Sequence, residues 1–466
     1  MMSSDDLIAA VNEKNNRAEY QAALDLAEQA LKEQSTDYAV WIGAGNAYYG
    51  LKRFDEAEKA YLKAISLSST DVIALANLAG VYFETSRFEE GLSVCDQALA
   101  RQPDYVNALI HRGNMLSSLN KGAEAIESYR KALEIKPDDP LVLFNLASAL
   151  ITEKQTDSAT EIFGRLLAID PDNPEYLYSY AQLSEEKEEY ERAAETYLRL
   201  LQVKEDEMTH VILSGCLYNL QMQGKTEQVL YFADEWLRLF PDNPVALHVL
   251  ETLKEPESLK RASAAYVREL FDAFADSFDS VLTGLDYQAP ALVASAVKSI
   301  SFKQLPETLD LGCGTGLCAA ALKDQNVSWS SLTGVDLSSE MLKKAEQRHL
   351  YTELCREDII SFLPSNPNRF DLVVSADVFT YIGDLSKVFS GLFAAVRSGG
   401  YIVFTVSENE DENGYALEPS GRFMHGRLYV SKEIEPFFHV EKVQSVTLRQ
   451  ELGKPVSGLL IIGKKI

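Results

Sequence analysis

Asp310-Leu311-Gly312-Cys313-Gly314-Thr315-Gly316, with Asp336 twenty residues further on in "TGVDLSSEML", decides how the second half of this chain is read. An acid, three glycines at alternate positions and a second acid one βα unit later describe a nucleotide-type pocket. Glycine lets backbone approach a ligand closely and supplies dihedrals that residues with side chains resist. Asp336 closes the short apolar strand "SLTGVD", where a carboxylate can accept hydrogen bonds from a ribose diol. Dinucleotide loops place their third glycine one residue later, and here an aspartate precedes the first.

Alternation around the loop supports a parallel sheet. "LCREDIISFL" (354–363) gives a strand ending in Glu357-Asp358 before a short helix. "FDLVVSADVFTYI" (370–382) is an apolar strand ending in polar and aromatic residues, and "LFAAVRSGGYIVFTVSE" (392–408) is a helix end, a turn and a further strand. Such alternation predicts an α/β fold, with acids, glycines and an aromatic at the carboxyl ends of strands, where open sheets bind ligands. Two late strands, about 440–449 and 456–463, predict a reversed hairpin at one edge.

The glycine loop and Asp336 resemble the first motifs of class I S-adenosylmethionine-dependent methyltransferases. The resemblance implies a Rossmann-like, mostly parallel seven-stranded sheet with a reversed edge strand, and S-adenosyl-L-methionine as cofactor. Asp310, Gly312, Gly314 and Gly316 would then line the methionine end, Asp336 hold the ribose, and Leu337 pack on adenine. Glu357 and Asp358 end the third strand, where Asp358 would receive the adenine amino group; as the cap of the helix that follows it has a compatible structural role. Asp377 and Tyr381 follow the fourth strand, where cofactor and acceptor meet. Cys313 reads as a small side chain filling the loop.

The base, if one is needed, is open. Asp377, Tyr381, Glu408, His425 and Arg427 stand near the carboxyl edge. His425 lies in the loop-like "GRFMHGR", where it could take a proton near neutral pH, and Arg422 or Arg427 could hold a substrate carboxylate. Equally, that loop merely caps the site. "SADVFTY" replaces the signature of amide and adenine methylation after the fourth strand, which favours a small-molecule or protein side-chain acceptor.

Before the first strand, Phe271-Asp272 and Phe278-Asp279 put aromatics at i and i+7 of one helical face. The helix 264–283 is expected either to cross the cofactor as a lid or to pack plainly on the sheet.

The first half repeats every 34 residues. Small residues recur at Ala23, Ala57, Gly91, Ala125, Ala159 and Ala193, and four positions later come Ala27, Tyr61, Cys95, Tyr129, Phe163 and Tyr197. Pro103, Pro137 and Pro171 hold the same register, with Ser35 and Ser69 in the matching column upstream. This resembles the tetratricopeptide repeat, a helix–turn–helix unit in which small residues let antiparallel helices approach and proline stops the second helix. A seventh unit fits only with two extra residues near "NLQMQGKTEQ". The expected organisation is an all-α solenoid over 1–243, a linker over 244–262 and the methyltransferase domain over 263–466, the lid helix included. Together with "LDYQAP", "GRFMHGRLYV" and "RQELGKPVSGLL", the arrangement resembles a bacterial group of tetratricopeptide-repeat methyltransferases.

On the concave face stand Asn46, Tyr49, Asn77, Phe83, Asn114 and Asn145. Asparagine is unfavourable inside helices. Either these amides grip an extended protein or peptide partner, or they are solvated positions on an exposed face.

Net charge is −26, from 44 basic and 70 acidic residues, which does not suit a broad phosphate-backbone footprint. No stretch approaches a membrane span. Five scattered cysteines give neither a disulfide framework nor a zinc site, so no metal is expected, and a cytoplasmic location is consistent. The function expected is methyl transfer to a protein side chain or small molecule, with repeats that recruit a partner or join copies into a homo-oligomer. The rival is a non-catalytic adaptor whose cofactor domain is inert or a sensor.

Overall fold

The computed structural model describes residues 4–32, 37–451 and 453–466, so Ser35 lies outside the described residues. Two compact units divide at Glu189 and Tyr190. The first is a stack of helices: α1 (Ser4–Asn16), α2 (Tyr20–Lys32), α3 (Tyr38–Gly50), α4 (Phe54–Leu67), α5 (Val72–Glu84), α6 (Phe88–Arg101), α7 (Val106–Ser118), α8 (Gly122–Ile135), α9 (Pro140–Thr152), α10 (Thr156–Ile169) and α11 (Pro174–Glu186).

The columns meet in space. A Cβ on Gly45 or Gly113 would clash with the ring of Tyr61 or Tyr129, so glycine there makes room for the aromatic of the same unit. Asp37, Asp71, Asp139 and Asn173, in one 34-residue register, cap their helices by accepting backbone N–H bonds. A further column escaped the sequence reading. Ala18, Lys52, Ser86, Asn120, Lys154 and Glu188 all turn with φ between 55 and 58°. Each ends the first helix of its pair in the left-handed conformation usually given to glycine. None is glycine, so composition carried no signal.

The second unit opens with α12 (Tyr190–Val203), α13 (Glu207–Met222), α14 (Thr226–Leu239) and α15 (Pro244–Lys254). Helix α13 has 16 residues where α11 has 13, and its turn falls at Gly224, φ 79°, 36 residues after Glu188 rather than 34. The extra pair of residues therefore lengthens this helix. Helix α15 occupies the first part of 244–262 and packs beside α13, α14 and the following α16 (Ala264–Phe274). The repeat pattern thus runs into the unit that contains the sheet.

Then come α17 (Phe278–Gly284), α18 (Ala289–Lys298), β1 (Glu307–Leu311), α19 (Leu317–Asp324), β2 (Ser331–Asp336), α20 (Ser339–Gln347), β3 (Glu353–Arg356), α21 (Ile359–Ser365), β4 (Phe370–Ser375), α22 (Ser386–Ala395) and β5 (Val396–Ser407). A small hairpin of β6 (Tyr415–Leu417) and β7 (Phe423–His425) precedes α23 (Arg427–Ile434), β8 (Phe438–Glu451) and β9 (Lys454–Lys465). The seven-stranded sheet runs β3-β2-β1-β4-β5-β9-β8. Strands β1 to β5 are parallel; β9 is antiparallel to both β5 and β8, and β8 forms the edge. Val293, Val297 and Leu322 cover one face of the sheet, and Phe362, Phe389 and Ile434 the other. Burying each such side chain contributes roughly 1.5–3 kcal/mol. Among the described residues no helix is long and apolar enough to cross a membrane.

Replacing Lys154 by glycine relieves a left-handed residue at a helix end, where the strain costs about 1 kcal/mol. Lys154→Gly should raise the denaturation midpoint, and the same change at Lys131, inside α8, should lower it; chemical denaturation followed by circular dichroism reads both.

Candidate active site

Asp310 lies on β1 and Asp336 ends β2, on neighbouring strands of the parallel sheet. The loop after β1 turns at Gly312, φ 71°, and Gly314, φ 52°. A Cβ on Gly312 would strike Val378, while one on Gly314 would enter open space, with only Phe278 Cε1 at 4.0 Å. The first glycine is there for packing and the second for a clear floor.

Asp336 is pinned by two backbone donors. Gly314 N–H donates to Oδ2 and Ser338 N–H to Oδ1, each at 2.9 Å. Burial nevertheless pushes its carboxyl up. Its remaining lone pairs face a cavity of about 170 Å³ that Gly312, Gly314, Leu337, Asp358, Asp377 and Tyr381 also line.

Asp358 caps α21 through Ile360 N–H and takes a hydrogen bond from the Arg261 guanidinium at 2.6 Å. Asp377 sits in the left-handed region, φ 61°, its N–H bonded to Thr405 Oγ1 at 2.9 Å. Its Oδ2 pairs with Arg449 at 2.7 Å, and its Oδ1 is buried without a partner. Burial raises this carboxyl against the opposing pull of the arginine. Arg449 gave no sign in the sequence, because the pair joins β4 to β8 across 72 residues.

Asp310, Gly316 and Glu357 do not line the cavity. Asp310 is buried one strand away, accepts from Tyr351 OH at 2.7 Å, and keeps an unpartnered Oδ1; burial raises it to about 7. Cys313 is buried in the loop, its thiol raised well above the usual range by the same cause.

His425 stands apart as well. The expected loop is the β6–β7 hairpin, and alternation within it turns Phe423 and His425 inward. The ring stacks on Tyr429, Nε2 bonds to Ile382 O at 2.8 Å, and burial lowers the imidazole to about 4. A ring so placed anchors the hairpin and does not meet the cavity. Glu408 is engaged by Ser445, Ser457 and Arg427 outside it. Arg422, by contrast, lines the cavity.

The segment 264–283 closes one side. Phe271 and Phe278 line the cavity with ring centroids 5.9 Å apart, and Phe271 meets Tyr381 at 5.5 Å. The aspartates beside them act as latches. Asp272 accepts from Ser338 Oγ at 2.6 Å and Glu340 N–H at 3.2 Å, while Asp279 accepts from Thr315 Oγ1 and pairs with Arg348. One Phe-Asp pair thus holds the β2 loop and the other the glycine loop.

The asparagines of the first unit serve its own structure. Asn46 Oδ1 accepts from Tyr61 OH and Asn77 Nδ2, each at 2.8 Å. Sixty-eight residues on, two periods of 34, Asn114 Oδ1 accepts from Tyr129 OH at 2.7 Å and Asn145 Nδ2 at 3.2 Å. These ladders join successive repeats, so Asn46 and Asn114 have their carbonyls occupied. Between the ladders His111 packs over Gly80, with Nδ1 unpartnered. Tyr49 and Phe83 are half-buried against Phe54 and Phe88.

Comparison with known proteins was consistent with both units. A family model described as a methyltransferase domain matches residues 309–404, a tetratricopeptide-repeat model matches 17–65, and a TPR domain of cytochrome c-type biogenesis protein H matches 84–210. An uncharacterized methyltransferase of Bacillus pumilus is 30% identical over 159 residues, 32% of this chain and 70% of its own length. Malonyl-[acyl-carrier protein] O-methyltransferase of Salmonella typhimurium is 33% identical over 103 residues, 22% of this chain; the chain spans 39% of that relative's length. Among solved structures, YrrB, titled a TPR protein with an unusual peptide-binding site, is similar at TM-score 0.35 and 22% identity, over 39% of this chain and 94% of its own.

Two outcomes follow from the geometry. A carboxyl raised to about 7 favours the folded state when protonated, so that its contribution is lost as pH rises from its ordinary value through 7. The wild-type melting temperature should therefore fall between pH 6 and 8 by about 2 °C more than that of Asp310→Asn, as calorimetry at both pH values would read. Asp272→Ala and Asp279→Ala together should free the latched segment, giving faster amide exchange over 264–283 while exchange in β4 and β5 is unchanged.

Proposed function

We infer, from the premise that this chain belongs to the methyltransferase family and couples that domain to tetratricopeptide repeats, that it transfers a methyl group from S-adenosylmethionine to an acceptor entering beside Tyr381. The observation that carries the reading is the clear floor at Gly314 with the pinned Asp336 above it. The residues fit the cofactor. Asp336 has lone pairs for a ribose diol, Leu337 an apolar side for adenine, and Asp358 an acceptor for its amino group. Bound there, S-adenosylmethionine would supply a methyl group on a sulfonium with a neutral leaving group.

The chain's own part is to orient and to exclude water. Phe271, Phe278 and Tyr381 give the cavity an aromatic wall, and Asp377 with Arg449 fixes the far end. Asp310 is better placed to set the charge behind the glycine loop than to touch the ligand. Asp377 is a positioning group, because Arg449 already engages it, and His425 is structural.

The repeats recruit a protein or peptide. Half-buried Tyr49 and Phe83 offer apolar contact, and each asparagine ladder keeps an amide nitrogen on Asn46 or Asn114 and an amide oxygen on Asn77 or Asn145 for an extended backbone.

Titration calorimetry with S-adenosylmethionine tests the cofactor reading. Wild type should bind, and Gly314→Arg, which fills the floor, should bind at least about tenfold more weakly. No heat with the folded wild-type protein would favour the adaptor instead.

A further inference from the structure

Beside the cofactor cavity lies a second one, of about 360 Å³, and no role described so far uses it. Its walls are Val211 and Leu217 of α13, Val249 and Leu253 of α15, and Leu270 and Phe274 of α16. Helices of the repeat pattern therefore build it together with α16, all within the second unit. Leu285, Tyr381 and Arg422 line both cavities, so the two adjoin at those side chains.

Arg422 is the chemical marker of that junction. Its guanidinium makes one hydrogen bond, from Nη1 to Glu451 Oε1 at 2.9 Å, and no other side-chain partner is seen among the described residues. Glu451 is shared, since Arg449 Nε also donates to it at 2.7 Å. The groups that act on Arg422 are Tyr381, Glu451 (committed to two arginines), Asp377 (committed to Arg449) and Tyr266. Glu418 lies near, its carboxyl raised by burial and by Glu451. The remaining guanidinium donors form a fork suited to a carboxylate.

Among the described residues, the side chains shared by the two cavities, Leu285, Tyr381 and Arg422, include no carboxylate and no imidazole. Asp336, Asp358 and Asp377 each already accept from at least one donor, and Tyr287 OH donates to Ala376 O. The imidazole of the second cavity, His248, is stacked on Tyr266 with Nε2 against Gly421 O, and it does not line the cofactor cavity. An acceptor already deprotonated at neutral pH needs no base there.

We propose that the second cavity is the acceptor chamber, and that the acceptor is an apolar chain ending in a carboxylate held by Arg422. This rests on the cofactor reading above. A carboxylate oxygen attacks the methyl carbon; the O–CH3 bond forms as the S–CH3 bond breaks, and that bonding pair stays on sulfur. The negative carboxylate and the positive sulfonium become a neutral ester and a neutral thioether, with no proton moved. The apolar tail lies among Val211, Leu217, Leu253 and Phe274.

Gly215 provides the test, because it lines the second cavity on α13 and a Cβ there would meet nothing within 4 Å. Gly215→Leu therefore fills the chamber and suits the helix. Full-length wild type, Gly215→Leu and Arg422→Gln are titrated with S-adenosylhomocysteine, then with decanoate or decylamine in its presence. Decanoate should bind wild type, with at least about tenfold weaker binding to each variant and to decylamine, while Gly215→Leu keeps its affinity for S-adenosylhomocysteine. Decanoate binding that survives Gly215→Leu, equal binding of decylamine, or no decanoate binding to a protein that binds S-adenosylhomocysteine overturns the proposal. Failure to bind S-adenosylhomocysteine refutes the cofactor reading first, and the chamber falls with it.

Discussion

A buried carboxylate must be held, and that requirement organises the carboxyl edge of this sheet. Removing a charge from water costs several kcal/mol unless donors replace the lost hydration. Asp336 is answered by two backbone N–H groups, Asp358 by Arg261 and a helix N-terminus, and Asp377 by Arg449. Each answer fixes a piece of chain. The glycine loop is drawn to β2, the segment before α16 to α21, and β4 to β8. Asp272 and Asp279 extend the same logic to the aromatic segment across the cavity. The walls are thus positioned largely by their own acids, with Asp310 Oδ1 and Asp377 Oδ1 left as buried polar atoms without a partner.

In the first unit the corresponding constraint is close approach. Glycine at 45 and 113 admits Tyr61 and Tyr129, whose hydroxyls reach Asn46 and Asn114 and so bring the asparagine ladders into being. A polar side chain in a helix interior is thereby turned to use between repeats. The left-handed residue at each helix end is held by that packing, and glycine appears only at 224, where α13 is longer. A repeat can therefore keep a strained backbone position with residues as unlike as Ala18, Lys52 and Asn120.

Much of this was legible in the residues. The parallel order of strands, the reversed strand near one edge, the glycine loop with Asp336, and the two-residue insertion in the seventh unit all follow local rules of spacing and periodicity. Other parts were not. "GRFMHGR" reads as a loop because three residues of alternation are too few to announce a strand, yet the hairpin turns His425 inward. Arg449 sits in a strand otherwise read for its hairpin, and only pairing with Asp377 gives it a role. The groove asparagines carried two readings, and geometry supplied a third in which they bond first to each other and to tyrosine.

The chain by itself determined which segments become helix or strand and where backbone must be bare, since those depend on neighbours a few residues away. Tertiary structure alone decided which acids line the cavity and which are tied up elsewhere, and that Arg422 borders two cavities. It also decided that α13 and α15 help to wall the second of them. Such outcomes depend on which charges, brought together from distant positions, neutralise one another when water is excluded, and no local pattern records that.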